Sequence, residues 1–597
     1  MNNEIELVQL CINAACKTKQ TVDKWRLQRR SLDRIPSHLA DALLRRLITR
    51  RLLHPSLLEV FKHSAEEIDL RGENAVDAEW MAYLGAFRHL RYLNIAECHR
   101  VNSSALWPTA GMNSLKELDL SRCAKINDSG INHILSISNL EKLHISKTGV
   151  TAKGIKLLAS LKNLSLLDLG GLPVDDACLA SLQVLENLQQ IELWGSKVSN
   201  EGAALLNTFP KLTHLNLDWT SVTKLPNLST LECLNMSNCT IDSILKDDKS
   251  PLTKLIFSGS KFLNEAETLL YANTNFLSFL DLAHTGLDKF FFLSKLKVIE
   301  HLNLSSCMMD DDSVEMVACI GGKLKSLNLS GTWVTSAGVG ILAGHVPNLE
   351  ILSLSQTSVD DTAFSFISMM PSLKDVDLSS TNIKGFLNQG SNDLESLSLT
   401  TIQNLKQLER LNLEHTQVIN EALFPLSSFQ ELRYLSLKSP SLADISLYHL
   451  SSVPKLTKLS ICDAVLTNYA LGKFKVPETL KLMDLRGCWL LTKEAILSFC
   501  RNHPQIEVRH ELVTVLPFEE NGRHHHSSPS RLTSRTMQAT RKKEQTSLSP
   551  SFVDQRMKYS RDELLALQFM SLPLASSSER DNSILEKQLD SMCNSSA

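Results

Sequence analysis

The sequence predicts an α/β solenoid, because one short apolar pattern recurs along most of the chain at a nearly constant interval. In Leu324-Lys325-Ser326-Leu327-Asn328-Leu329 the leucines alternate with polar residues, as expected for a short strand with one buried face. Most such segments begin 24 or 25 residues apart, which leaves room for one strand and one short helix or turn. Such a unit can bury its leucines only against neighbouring units, so the pattern predicts a leucine-rich repeat array with a parallel concave sheet.

About eighteen segments fit this pattern and assign residues 65–510 to one array. They begin at Ala65, Leu90, Leu115, Leu140, Leu164, Leu188, Leu212, Leu231, Leu252, Leu277, Ile299, Leu324, Leu349, Leu373, Leu408, Leu432, Leu456 and Leu480. The repeats at Leu231 and Leu252 are short, so we expect an extended or 3₁₀ outer side there. Between Leu373 and Leu408 the interval fails. Residues 394–399 resemble another strand, but an insertion or a long outer helix fits that stretch equally well.

Two polar positions recur within the repeats. Three residues after the last strand leucine stands a small residue, predicted to sit inside the turn and bond the backbone of the adjacent coil. These residues are Cys123, Thr148, Ser196, Thr220, Cys239, Ser260, Thr285, Cys307, Thr332, Thr357, Thr381, Thr416 and Cys488. The position before the last leucine is often Asp or Asn, a ladder compatible with a structural role, as at Asp119, Asp168, Asn216, Asp281, Asn303, Asn328, Asp377, Asn412 and Asp484.

Composition narrows the class of protein. The formal net charge of −3 over 597 residues gives the whole chain no bias toward nucleic acid or membranes. The sequence shows neither a signal peptide nor an apolar run long enough to span a bilayer. Its thirteen cysteines are an odd number, which suits reduced thiols better than disulfides. We therefore expect a cytoplasmic protein with a possible nuclear pool. The sequence shows no nucleophile–base set, phosphate-binding loop or Cys-x-x-Cys pair, so we predict a protein that is not an enzyme and needs no cofactor or metal. His524, His525 and His526 lie in a Ser/Pro-rich segment and are predicted to be solvated.

Residues 1–64 are predicted to be helical and to cap the open end of the array. Leu7, Leu10, Cys11 and Ala14 lie at helical spacing, and Pro36 and Pro55 are placed to begin helices. The same stretch permits a second interpretation. Leu7-x-x-x-Cys11-x-x-x-Ala15 resembles an elongin C-binding box, and Ile35-Pro36-x-x-Leu39 resembles the cullin-binding box of zyg-eleven-type ubiquitin ligase receptors, which also contain leucine-rich repeats. That resemblance implies a substrate receptor that binds elongin C.

Two tryptophans follow neighbouring strands of the array. Trp194 and Trp219 are large for a thin coil, so each is a candidate anchor for a protein partner on the concave face, and each can alternatively fill a coil edge. The sequence does not identify that partner.

The tail, residues 511–597, is rich in Ser, Thr, Pro and charged residues, and we predict that it is disordered. Its basic stretch is expected to touch RNA only weakly and nonspecifically. Within it, Ser560 and Glu563 form a capping box, so we predict a short helix from Arg561 that presents Leu564 and Leu565.

Residues 558–570 contain Tyr559-x-x-x-x-Leu564-Leu565, which resembles the motif that initiation factor 4G and the 4E-binding proteins use to dock on the cap-binding initiation factor 4E. A leucine-rich array combined with this motif is similar to the plant CERES-type leucine-rich repeat proteins of translation initiation. The resemblance implies a translation adaptor in which Tyr559, Arg561, Leu564 and Leu565 contact factor 4E, acting with other initiation factors.

Overall fold

The computed structural model describes residues 2–26, 34–224, 228–242, 251–263, 275–387 and 396–513. The described residues divide into two compact units, a first unit that extends to Leu164 and a second unit that begins at Ser165. The predicted limits of head, array and tail are a separate division and stay predictions.

The first unit contains a helical head followed by four parallel strands. Its helices are α1 (Asn2–Ala15), α2 (Lys19–Asp23), α3 (Ser37–Thr49), α4 (Pro55–Leu58), α5 (Ala78–Leu84), α6 (Asp128–Ile134) and α7 (Ala152–Leu157). Its strands β1 (Glu67–Asp69), β2 (Tyr92–Asn94), β3 (Glu117–Asp119) and β4 (Lys142–His144) pair in chain order.

The second unit continues the same alternation. A parallel ladder runs in chain order through β5 (Leu166–Asp168), β6 (Gln190–Glu192), β7 (His214–Asn216), β8 (Cys233–Asn235), β10 (Lys254–Ile256), β12 (Phe279–Asp281), β13 (His301–Asn303), β14 (Ser326–Asn328), β15 (Ile351–Ser353), β16 (Asp375–Asp377), β19 (Arg410–Glu414), β20 (Tyr434–Lys438), β21 (Lys458–Cys462), β22 (Leu482–Asp484) and β23 (Glu507–Arg509). Its helices are α8 (Asp176–Leu182), α9 (Asn200–Leu205), α10 (Val314–Ala318), α11 (Ser336–Leu342), α12 (Ala363–Ile367), α13 (Asp444–Leu450), α14 (Asn468–Lys473) and α15 (Lys493–Asn502).

The strands begin two residues after each predicted repeat start, so the predicted register is confirmed. Leu327, for example, is fully buried and lies in register between Leu302 and Leu352. The prediction missed the last strand, β23. Its repeat has Gln505 and His510 where other repeats have apolar residues, and His510 is nevertheless buried.

The small residues in the turns bond the backbone in two ways, so the predicted contact is only partly correct. Cysteines reach the preceding coil, as Cys123 Sγ donates to the carbonyl of Ile95 at 3.2 Å. Threonines instead bond their own coil, as Thr332 Oγ1 donates to the carbonyl of Leu329 at 2.6 Å. A serine can also reach the preceding coil, as Ser260 Oγ donates to the carbonyl of Met236 at 2.6 Å, whereas the buried Ser196 Oγ has no hydrogen-bond partner among the described residues.

The Asp and Asn ladder has a structural role. Each side-chain oxygen accepts a backbone N–H two residues later, at 2.9 Å for Asp119 with Ser121 and 3.0 Å for Asn328 with Ser330. This bond closes the turn that leaves each strand.

The two irregular stretches follow their predictions in part. In the short repeats, β9 (Thr240–Ile241) and β11 (Lys261–Phe262) are extended and pair with each other, whereas residues 243–250 and 264–274 lie outside the described residues. Between Leu373 and Leu408 the chain makes an insertion, because β16 pairs directly with β19 while β17 (Phe386–Leu387) and β18 (Ser396–Leu397) form a separate antiparallel pair.

The head contacts the first strand through α3. Asp41 of α3 is buried and its Oδ1 accepts the backbone N–H groups of Glu66 and Glu67 at 3.1 and 3.2 Å. These N–H groups would otherwise lie at an open sheet edge. Leu7 and Leu10 of α1 are 62% and 64% exposed.

Helices of neighbouring coils are joined by a carboxylate that leaves room only for glycine. Asp176 of α8 accepts the backbone N–H and the hydroxyl of Ser199 at 2.9 and 2.6 Å, and a Cβ on Gly202 would lie 2.0 Å from its Oδ1. We therefore expect Gly202→Ala to break this contact and lower the free energy of unfolding by about 1.5–3 kcal/mol, the range for hydrogen bonds to charged groups. Denaturant titration measures the change.

A matched control is Gly472→Ala in α14, where a Cβ meets nothing within 4 Å. This substitution should leave stability unchanged or raise it by up to about 1 kcal/mol through helix propensity. Equal effects of the two substitutions would contradict the proposed contact.

Candidate protein-binding surfaces

The sheet face, formed by the strand side chains that point away from the leucines, carries opposite charges on neighbouring strands. Lys325 Nζ lies 2.8 Å from Glu300 Oε2, and Lys374 Nζ lies 2.8 Å from Glu350 Oε2. Hydrogen bonds from these lysines lower the pKa of both glutamates. Exposed pairs of this kind contribute little to stability, and they leave this part of the face polar and neutral.

A groove of about 250 Å³ lies on the sheet face of the first unit. It is lined by Glu66, Glu67, Arg91, Tyr92, Lys116, Glu117, Glu141 and Lys142. Its charges are also paired internally, since Lys142 lies 3.0 Å from Glu117 and Lys116 bonds Glu141. A ligand in this groove would have to exchange existing ion pairs for new ones.

The structure distinguishes the two candidate tryptophans. Trp194 is half-buried and its indole covers Gly170, where an added Cβ would lie 2.0 Å from the indole Nε1. Trp194 therefore fills a coil edge on one side and remains accessible on the other. Trp219 is 67% exposed and has a left-handed backbone, with φ of 55°.

The backbone of Trp219 is unfavourable for its side chain. The corresponding turn residues of the two preceding coils are Gly171 and Gly195, with φ of 68° each. A bulky residue in this conformation costs energy that glycine avoids, while the exposed indole gains little packing in return. The same turn position is left-handed in other coils that carry non-glycine residues, such as Arg122 and His284, so the exposure of the indole, and not the backbone, favours a role in binding.

We expect Trp219→Gly to raise the free energy of unfolding by about 0.5–1 kcal/mol, because relief of the left-handed strain exceeds the added flexibility of the unfolded chain. Thermal or denaturant unfolding measures this shift. Trp333→Gly is the matched control, since Trp333 is similarly exposed, at 64%, and has no positive φ. Loss of stability on Trp219→Gly would show that the indole stabilises the fold.

Sequence analysis missed other exposed aromatic residues. Trp333 and Trp489 directly follow the small turn residues, and Trp489 is 72% exposed. On the outer side, Phe424 and Tyr448 both contact His449, with ring centroids 5.8 and 5.9 Å away. The proximity of Phe424 to His449 depends on how neighbouring coils stack.

The resemblance residues of the head lie on two helices. Leu7 and Cys11 are exposed on α1, whereas Ala15 is half-buried near its end. Pro36 is exposed directly before α3, and Ile35 and Leu39 are half-buried. The structure therefore leaves the first two box residues accessible. The tail residues Tyr559, Arg561, Leu564 and Leu565 lie outside the described residues.

The buried cysteines have the chemistry of core residues. Burial raises the pKa of Cys98 and Cys488 to about 12 and that of Cys123 to about 11, so these thiols stay protonated at neutral pH and are poor nucleophiles. Within the described residues we find no group of three or more His, Cys, Asp or Glu that could hold a metal ion. The described helices also include none that is long and apolar enough to cross a membrane.

A family model described as Leucine Rich repeat matches residues 111–132. No curated protein matches the chain. Among solved structures, an internalin (inlF) of Listeria monocytogenes is 19% identical with a TM-score of 0.39, and the match covers 60% of this chain and 88% of that chain. A leucine-rich repeat protein of Leptospira interrogans is 17% identical with a TM-score of 0.37, and the match covers 70% of this chain and 95% of that chain. The ectodomain of the Arabidopsis thaliana receptor kinase GASSHO1/SCHENGEN3, in complex with CASPARIAN STRIP INTEGRITY FACTOR 2, is 14% identical with a TM-score of 0.38. That match covers 70% of this chain and 58% of that chain.

The repeated coils, their parallel strands and the matched repeat define a leucine-rich repeat solenoid. This fold is typically a scaffold for protein–protein interaction. The exposed tryptophans and the polar sheet face are suited to that use.

Proposed function

We propose that the protein is a non-enzymatic adaptor of translation initiation, in which the array binds one partner and residues 558–570 capture the cap-binding initiation factor 4E. The observation that supports this proposal most directly is the motif Tyr559-x-x-x-x-Leu564-Leu565. A cytoplasmic location and association with other initiation factors are parts of the same proposal. The described repeats support the scaffold role because they present exposed aromatic and charged side chains.

The proposed contact at the tail follows from the chemistry of the motif. Formation of a helix at Arg561 would bring Leu564 and Leu565 together toward an apolar groove on factor 4E. Tyr559, just before the helix, would pack its ring on the partner and bond through its hydroxyl. Arg561 would add charge complementarity.

The direct test is a pull-down from cytosol with the full chain and with chains that lack residues 1–64 or residues 511–597. Factor 4E should be recovered with the full chain and with the chain that lacks the head, and it should be lost when the tail is removed. Failure of the full chain to recover factor 4E would refute the proposal.

A second function is favoured by the exposure of α1. Leu7 and Cys11 of the elongin C-like box are accessible on this helix, which a substrate receptor of an elongin C–cullin ubiquitin ligase would require. We expect Leu7→Ala with Cys11→Ala to eliminate elongin C from the pull-down if this function is real. Leu10→Ala is the control, because Leu10 is equally exposed but lies outside the box. Absence of elongin C with the unmutated chain would exclude the ligase function.

A further inference from the structure

Trp194 and Trp219 lie on neighbouring coils, close in the chain to the carboxylates of Glu192 and Asp218. We name these four residues the indole–carboxylate patch. Glu192 pairs with Asn216 in register, and the N–H of Gly195 donates to the carbonyl of Asp218 at 2.7 Å. The continued register therefore places Trp194 beside Asp218. Glu192 is the last residue of β6 and Trp194 lies in the turn that follows it, so the carboxylate and the indole are two residues apart at the end of one strand.

Among the described residues, the carboxylates of the patch have only neutral hydrogen-bond partners. Glu192 accepts a hydrogen bond from Gln190 at 2.9 Å, and Asp218 accepts one from Asn238 at 2.9 Å. In the part of the chain that the structure describes, neither forms a salt bridge, whereas Glu300 and Glu350 on the same sheet face each hold a lysine. Each carboxylate can accept several further hydrogen bonds, so the patch has negative charge available for a cation.

Bare backbone lies next to the indoles. Gly171 and Gly195 are exposed and occupy the turn positions beside Trp219, so no side chain separates the indole from a ligand that lies along these turns. An extended peptide could approach the backbone closely at this point.

We propose that the indole–carboxylate patch binds an arginine side chain from a basic, extended segment of a protein partner. A guanidinium group can stack on an indole face and at the same time donate paired hydrogen bonds to a carboxylate, a combination that suits arginine better than lysine. This inference deepens the proposed adaptor function by naming the class of partner that the array takes, and it depends on the array and not on the tail.

Fluorescence anisotropy of the full chain with a labelled peptide of glycine, serine and two arginines tests this proposal. We expect Trp219→Gly, and Asp218→Asn combined with Glu192→Gln, each to weaken binding at least about tenfold, and Trp333→Gly to leave it unchanged. Affinity should fall as salt concentration rises, because ion pairs at an exposed site are screened. Peptides with lysine or glutamate in place of arginine should bind more weakly or not at all.

Three results would overturn the assignment. The first is that the parent chain fails to bind the arginine peptide, and the second is that both patch variants retain its affinity within about twofold. The third is that the parent chain prefers a proline-rich control peptide and that Trp219→Gly abolishes the binding of that peptide. Measuring factor 4E binding on the same samples separates the two proposals. Loss of peptide binding with factor 4E still bound rejects only the patch, whereas peptide binding without factor 4E supports the patch and rejects the role in translation.

Discussion

Replacing Leu564 and Leu565 together with alanine is expected to abolish detectable binding of factor 4E while the array remains folded. Both leucines lie in a short predicted helix whose formation is unfavourable alone and is stabilised only by burial in a groove. Burial of one leucine side chain contributes about 1.5–3 kcal/mol, so loss of both should weaken binding by two or more orders of magnitude. Calorimetry of the peptide 558–570 with purified factor 4E measures the change.

Three comparisons make this test specific. Tyr559→Ala should also weaken binding, and the parent peptide should compete with factor 4G for the same groove. Gln568→Ala is a conservative control, since Gln568 lies outside the motif. Equal affinities of the parent and the double-leucine peptide, or no binding by the parent, would refute the assignment.

Leu327→Ala is expected to lower the free energy of unfolding by about 2–5 kcal/mol, because it removes apolar contacts and leaves a cavity. Leu327 is fully buried on β14 between Leu302 and Leu352, so truncation weakens contacts with the coils on both sides. Denaturant unfolding followed by circular dichroism gives the shift of the transition.

Ser326→Ala is the control on the same strand, because Ser326 points to the opposite, half-exposed face. It should change stability by less than about 0.5 kcal/mol. A similarly small effect for Leu327→Ala would contradict the strand register.

The candidate site was predictable only in its individual residues. Trp219 could be named from the sequence because it directly precedes Thr220, one of the small turn residues, where a large side chain has no interior space. Its left-handed backbone is shared with Gly195 one coil earlier and Asn238 one coil later, so this conformation is a property of the repeated turn. The proximity of Trp194 to Asp218 likewise follows from stacking of coils, and not from their separation along the chain.

The sequence by itself determined the repeat, the strand positions and the buried leucines, because alternation of apolar and polar residues depends on a period of two within a few neighbouring residues. It also predicted the tail motif, which is local in the same way. Only the tertiary structure decided that Leu7 faces solvent, that Asp41 caps the first strand and that β23 extends the ladder. It also decided that, within the described part of the chain, Glu192 and Asp218 have no cationic partner where other glutamates have one. These features depend on distances between side chains a full repeat or more apart in the chain, and such distances are set by the way neighbouring coils pack.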